Sequence, residues 1–160
     1  MVFSKIFKHS KLACLSLLLF AFFFVNNLSA EDYKLKNING QEVSYKDIIA
    51  SPKTILFIWT TWCPYCRTEI NNINEKYDFL KDVNIYYINT GERATTVKRF
   101  LKKYNLKEEI LAKIIIDPAA AIADKFYVTG IPTYIFLKDS KYADSSLYIS
   151  KDIIDKAFRK

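Results

Sequence analysis

Thr54-Ile55-Leu56-Phe57-Ile58-Trp59-Thr60-Thr61-Trp62-Cys63-Pro64-Tyr65-Cys66-Arg67-Thr68-Glu69 is the stretch that decides the fold. Its first six residues are almost wholly apolar and rich in branched and aromatic side chains, the pattern of a strand buried on both faces. Pro64 suits the first turn of a helix. From there to about Leu80, Ile70, Ile73, Tyr77 and Leu80 recur at steps of three and four, an amphipathic helix. Cys63 and Cys66 therefore fall where a buried strand turns into a helix. Unpaired N–H groups and the positive end of the dipole at that point favour a thiolate on Cys63. Cys66 lies one turn on, close enough for a Cys63–Cys66 disulfide and partly covered. The first thiol is expected to attack disulfides and the second to resolve the mixed disulfide.

Moving outward, Asn39-Gly40 between Leu35–Ile38 and Gln41–Tyr45 predicts a short hairpin. Val83–Ile88 reads as a second buried strand. Val97, Phe100, Leu101 and Tyr104 give a second helix, and Ile114-Ile115-Ile116 a short strand. Asp117-Pro118 reads as an N-cap and first helical position leading into Ala119 to about Tyr127. After Gly130-Ile131-Pro132, Thr133–Leu137 is another apolar strand. An edge strand near Leu147-Tyr148-Ile149 and a helix capped by Ser150, with Ile154, Ala157 and Phe158 facing inward, complete the chain. Strands alternating with helices and a closing hairpin-like pair imply an α/β fold: a mixed central β-sheet with helices on both faces, preceded by an N-terminal β-hairpin.

Composition narrows the chemistry. Residues 1–30 carry Lys5, Lys8 and Lys11, no acid, and an apolar run of 14 residues from Leu12 to Val25. That run is shorter than the roughly 18–20 residues of a bilayer-spanning helix. With Leu28-Ser29-Ala30 after it, the segment reads as a secretory signal cleaved after Ala30, or alternatively as an uncleaved anchor, because Leu28 is larger than usual at its position. One domain, residues 31–160, would follow. The three lysines removed, 21 basic face 17 acidic side chains, a balance of +4 that is too mild and scattered to suggest nucleic acid. The single histidine, His9, and Cys14 both lie in the first 30 residues. The remainder holds Cys63 and Cys66 and no histidine, which excludes Ser-His-Asp and Cys-His catalysis and a zinc site built from one chain. A zinc site shared across a dimer, a structural disulfide or two inert thiols remain as plainer alternatives. A disulfide spanning two residues would stabilise little, because the entropic gain grows with loop length.

Trp59 to Glu69 resembles the active-site segment of thioredoxin-fold proteins, in particular the exported TlpA/ResA-like branch. The hairpin at Asn39-Gly40, Asn89-Thr90-Gly91-Glu92, Asp117 and Val128-Thr129-Gly130-Ile131-Pro132-Thr133 match in order, so the likeness covers about residues 33–158. It implies a three-layer thioredoxin-like fold, a cis Pro132 facing the cysteines, and Ile131 offering backbone groups to an extended substrate strand. It also implies that Glu69, three residues after Cys66 and on the same helix face, takes part in acid–base chemistry; the alternative is a solvated carboxylate that merely favours the helix start. Phe57, six before Cys63, occupies the place of thioredoxin's buried aspartate, so no carboxylate can act there. Trp62, Pro64 and Tyr65 are expected to line the substrate site, with Trp62 a wall. Arg67 either adds positive potential or is a solvated helix residue. Two departures stand out. Pro64-Tyr65 is the glutaredoxin dipeptide, not the Glu-Pro or Val-Pro of ResA-like proteins. Asp139-Ser140-Lys141-Tyr142 lacks the usual hairpin glycine, which implies a longer or altered turn.

The resemblance implies a monomeric, cofactor-free, metal-free protein-disulfide oxidoreductase, exported to the periplasm or the outer face of the cytoplasmic membrane. Its partners would be disulfide-containing exported proteins and a membrane electron donor of the thiol-transfer type. Reduction, as in cytochrome c maturation, is the favoured direction and a DsbA-like oxidant the alternative. From other classes, a non-enzymatic peptide-binding chaperone or a copper(I)-binding module remains; Met1 as the only methionine weighs against the latter.

Overall fold

The structure, a computed structural model, describes residues 34–75 and 78–159. The expected signal segment and Tyr77 lie outside the described residues. β1 (Lys34–Asn37) and β2 (Glu42–Ser44) form the expected hairpin, with Gly40 at φ 87°, a left-handed value that glycine adopts without strain. Asn37 Oδ1 accepts from the N–H groups of Asn39 and Gln41 and closes the turn. A short helix, α1 (Tyr45–Ile48), follows, capped by the Ser44 hydroxyl.

β3 (Lys53–Trp59) is central. It pairs in parallel with β4 (Asn84–Thr90), from Thr54↔Asn84 to Trp59↔Asn89, and antiparallel with β6 (Thr133–Lys138). β5 (Ile114–Asp117) adds in parallel to β4, and β7 (Lys141–Ser146) antiparallel to β6. The sheet runs β2-β1-β5-β4-β3-β6-β7. A strand flanked on both sides and covered on both faces must be apolar throughout, and Ile55 to Trp59 are all fully buried. Alternation divides them. Ile55, Phe57 and Trp59 pack with α2 (Pro64–Glu75), α3 (Ala94–Leu101), α4 (Glu108–Leu111) and α6 (Lys151–Arg159); Leu56 and Ile58 pack with α1 and α5 (Ala121–Lys125). Each such side chain contributes about 1.5–3 kcal/mol relative to exposure.

Four expectations are corrected. The edge strand lies at 141–146 rather than 147–149, because a strand with one neighbour and an exposed face needs no apolar run; Leu147 and Tyr148 are apolar yet exposed. Of the two alternatives for the turn before it, longer or altered, the longer one falls: Asp139 (φ 49°) and Ser140 (φ 65°) make a two-residue loop with both residues left-handed, without glycine. Asp139 N–H donates to Pro52 O and the Ser140 hydroxyl to Ile49 O, which anchors those strained residues. The helix after Asp117 starts at Ala121, since Ala120 is left-handed (φ 58°), yet the Asp117 carboxylate still accepts from Ala121 and Ile122 N–H. The helix at Pro64 is described over Pro64–Glu75, and Asp78–Leu80 form a 3-10 turn where the α-helix was expected to continue. The short α4 was not foreseen.

Candidate active site

The strand-to-helix joint delivers the two cysteines. α2 begins at Pro64, so Cys63 occupies its N-cap position and Cys66 the third helical residue. Cys66 N–H donates to Cys63 Sγ at 3.2 Å, the contact a serine hydroxyl makes when it caps a helix. Pro64, whose missing N–H would have had no intrahelical partner, takes the first helical place. Across from α2, the peptide Ile131–Pro132 is cis, and the Cys63 thiol donates to Ile131 O at 3.7 Å. Both cysteines are free thiols, and this is the dithiol form.

Neither sulfur is openly displayed. Cys63 is 2% exposed and Cys66 fully buried. Burial pushes the Cys66 thiol well above the ordinary thiol range, and its hydrogen bond with Cys63 pushes the same way; the Thr60 backbone opposes them. Cys66 is thus held as a thiol at neutral pH. Around this recess the expected lining residues divide. Trp62 and Tyr65 stand out into solvent at 65% and 75% exposure, Pro64 is exposed, Ile131 is half-buried, and Pro132 is buried. The rim is aromatic and the floor is sulfur.

Glu69 is half-buried on α2, and its Oε2 accepts from the Tyr134 hydroxyl at 2.5 Å. Tyr134 is fully buried on β6, two residues after Pro132, and its ring stacks on Phe57 with centroids 4.7 Å apart. Phe57 is fully buried, as its place in β3 requires. The core thus gathers a phenol, a phenyl ring and the dithiol in one buried cluster and routes a polar contact from β6 to Glu69. Tyr134 escaped the sequence reading because an apolar strand such as Thr133–Leu137 gives no sign of which tyrosine has a buried polar partner 65 positions away. Glu92 escaped as well. It lies in the matching segment Asn89-Thr90-Gly91-Glu92, which by itself suggests no role for it, yet its carboxylate accepts from Thr61 in the joint. Arg67 is exposed, and its Nε donates to Thr61 O at 3.0 Å. Among the described residues, no cluster of three or more His, Cys, Asp or Glu could hold a metal ion.

A mixed sheet between two helical layers, with Cys-x-x-Cys at a strand-to-helix joint opposite a cis-proline, defines a thioredoxin-like protein. Residues 27–142, well over half of the chain, match the AhpC/TSA family, and the chain belongs to it. It is similar to the sporulation thiol-disulfide oxidoreductase A of Bacillus subtilis, 26% identical over 112 residues, 67% of this chain and 64% of that one. The thiol-disulfide oxidoreductase ResA of Bacillus thuringiensis is 30% identical over 115 residues, 70% of this chain and 64% of the relative. The match therefore spans just under two thirds of each relative's length. Among solved structures, an exposed lipoprotein thioredoxin of Streptococcus pneumoniae superposes with a TM-score of 0.65 over 81% of this chain and 98% of that one, at 20% identity. StoA of Bacillus subtilis superposes at 0.59 over 79% and 96%, also at 20% identity. These likenesses carry the fold.

Proposed function

We propose that the protein is an exported thiol-disulfide oxidoreductase in which Cys63 captures and Cys66 releases. The observation that carries this reading is the unequal placing of the sulfurs. Cys63 Sγ, 2% exposed, lies between the Cys66 N–H at 3.2 Å and the Ile131 carbonyl at 3.7 Å, whereas Cys66 is fully buried, and that burial holds it protonated. In the reducing direction, Cys63 as thiolate attacks a substrate disulfide, forms a Cys63–substrate mixed disulfide and expels one substrate thiolate. Cys66 then gives up its proton and attacks the Cys63 sulfur. The Cys63–Cys66 disulfide forms, the second substrate thiolate leaves, and two electrons have passed to the substrate. Glu69, one turn beyond Cys66 on the same helix face, is the proposed acceptor of that proton. Substrate backbone would pair beside Ile131, with Trp62, Pro64 and Tyr65 as walls and Pro132 fixing the Ile131 backbone beneath it.

Residues 1–30 supply the export signal in this reading. Exported proteins with disulfides would be the substrates, reductive steps such as cytochrome c maturation the setting, and a thiol-transferring membrane protein the electron source. Insulin reduction with dithiothreitol tests the activity: the intact protein accelerates it and Cys63→Ala does not. Equal rates would overturn the assignment. Equilibration with glutathione tests direction. A potential near the thioredoxin value of about −270 mV supports a reductant, and one near the DsbA value of about −120 mV would make the protein an oxidant.

A further inference from the structure

Thr61, two residues before Cys63, has every polar group engaged. Its N–H donates to Glu92 Oε2 at 2.7 Å, its hydroxyl donates to Glu92 Oε1 at 2.6 Å, and its carbonyl accepts from Arg67 Nε at 3.0 Å. Glu92 comes from the connection after β4 and Arg67 from the first turns of α2. The Glu92 carboxylate is itself fixed by Asn89 Nδ2, 2.9 Å from Oε2, and Asn89 is fully buried on β4 opposite Trp59. The Arg67 guanidinium lies 5.9 Å from the Phe100 ring on α3. Residues 60–63 belong to neither β3 nor α2. Without outside support, this segment would be the loosest part of the joint that carries the reactive sulfur.

From this geometry we propose that Glu92 and Arg67 are positioning residues for Cys63, acting as a two-sided clamp on Thr61. Carboxylate-to-N–H and carboxylate-to-hydroxyl bonds of this length are charge-assisted and roughly twice as strong as neutral ones. The contacts they protect are short: Cys63 Sγ must stay within reach of Cys66 N–H on one side and Ile131 O on the other. Release of the clamp lets Cys63 drift. A misplacement of about 1 Å at a reacting centre costs on the order of a hundredfold in rate, so partial loss of order should cost about tenfold. Gln at position 92 keeps one carbonyl oxygen for Thr61 and should cost far less than Ala.

The proposal rests on Cys63 being the exchanging sulfur, and the test separates the two claims. In a Cys66→Ser background, capture stops at the mixed disulfide, so the second-order rate constant with oxidised glutathione reads the first step alone. Glu92→Ala should lower it about tenfold, and Glu92→Gln should restore it to within about threefold of the parent. Ile154→Val, a core change on α6, should lower the melting temperature with the rate unchanged. A Glu92→Ala protein that melts lower yet captures glutathione at the parental rate overturns the clamp and leaves Cys63's role standing. Capture by neither the parent nor the variants overturns both. Arg67→Met releases Thr61 from the other side without touching Glu92. A parental rate in that variant also refutes the clamp, even if Glu92→Ala fails to fold.

Discussion

Tyr134→Phe tests the hydrogen bond from the buried phenol to Glu69, in the core cluster that holds the dithiol. The phenyl ring keeps its volume and its stacking on Phe57, so no cavity of consequence opens, and the change removes the hydroxyl that donates to Glu69 at 2.5 Å. Bonds to a charged acceptor contribute about 1.5–3 kcal/mol. Glu69 is half-buried and recovers some hydration when the phenol goes, so the expected loss is about 1–2 kcal/mol. For a domain of this size that corresponds to about 3–8 °C in melting temperature. Urea unfolding of the reduced protein gives the free energy, with an unchanged slope on denaturant showing that the unfolding transition is otherwise the same. A double-mutant cycle with Glu69→Gln should return a coupling of about 1 kcal/mol. A loss below about 0.3 kcal/mol, or additive single changes, would refute the reasoning that this buried phenol holds the Glu69 carboxylate.

Further expectations rest on other parts of the molecule. Phe57→Ala removes a fully buried ring that packs against both Tyr134 and Tyr87, and should cost about 3–5 kcal/mol in chemical denaturation; a cost under about 2 would mean the core collapses around the site. Tyr127 is left-handed (φ 52°) just past α5 and 88% exposed, so Tyr127→Gly should raise stability by about 1 kcal/mol, and a fall would show that the side chain holds something in place. Burial raises the Asp117 carboxyl above its usual range, against the pull of the two helix N–H groups it accepts. An acid raised in the folded state adds stability that is complete below its unfolded value, about 4, and lost as pH rises through its folded value. The stability of the natural protein relative to Asp117→Asn should therefore grow between pH 7 and pH 4, and a decrease in thermal scans would contradict the sign.

Much of the fold was legible because its central strands are covered on both faces. A run such as Ile55–Trp59 has few alternatives, and a Cys-x-x-Cys directly before an amphipathic repeat marks the joint. Asn39-Gly40 announced its hairpin, because glycine at a left-handed position is a local requirement written into the chain. Asp139-Ser140 makes a turn of similar tightness without glycine and is held by contacts to Pro52 and Ile49 about 90 residues away, so local sequence left a longer and an altered turn both open. β7 was misplaced for a related reason: an edge strand of mixed polarity has no periodic signature. In the site, Cys63, Cys66 and Pro132 could be named from spacing and resemblance. Tyr134 and Glu92 could not be given roles, because their partners, Glu69 and Thr61, are brought to them only by the pairing of β3 with β6 and β4.

The division of labour between the sulfurs is most directly tested by trapping each single-cysteine variant with oxidised glutathione, quenching in acid and weighing the intact protein. Cys66→Ser should hold one glutathione on Cys63 as a stable adduct, and Cys63→Ser, left with a buried, protonated thiol, should hold none on the same timescale. Glutathione retained by Cys63→Ser and absent from Cys66→Ser would reverse the roles and contradict the account.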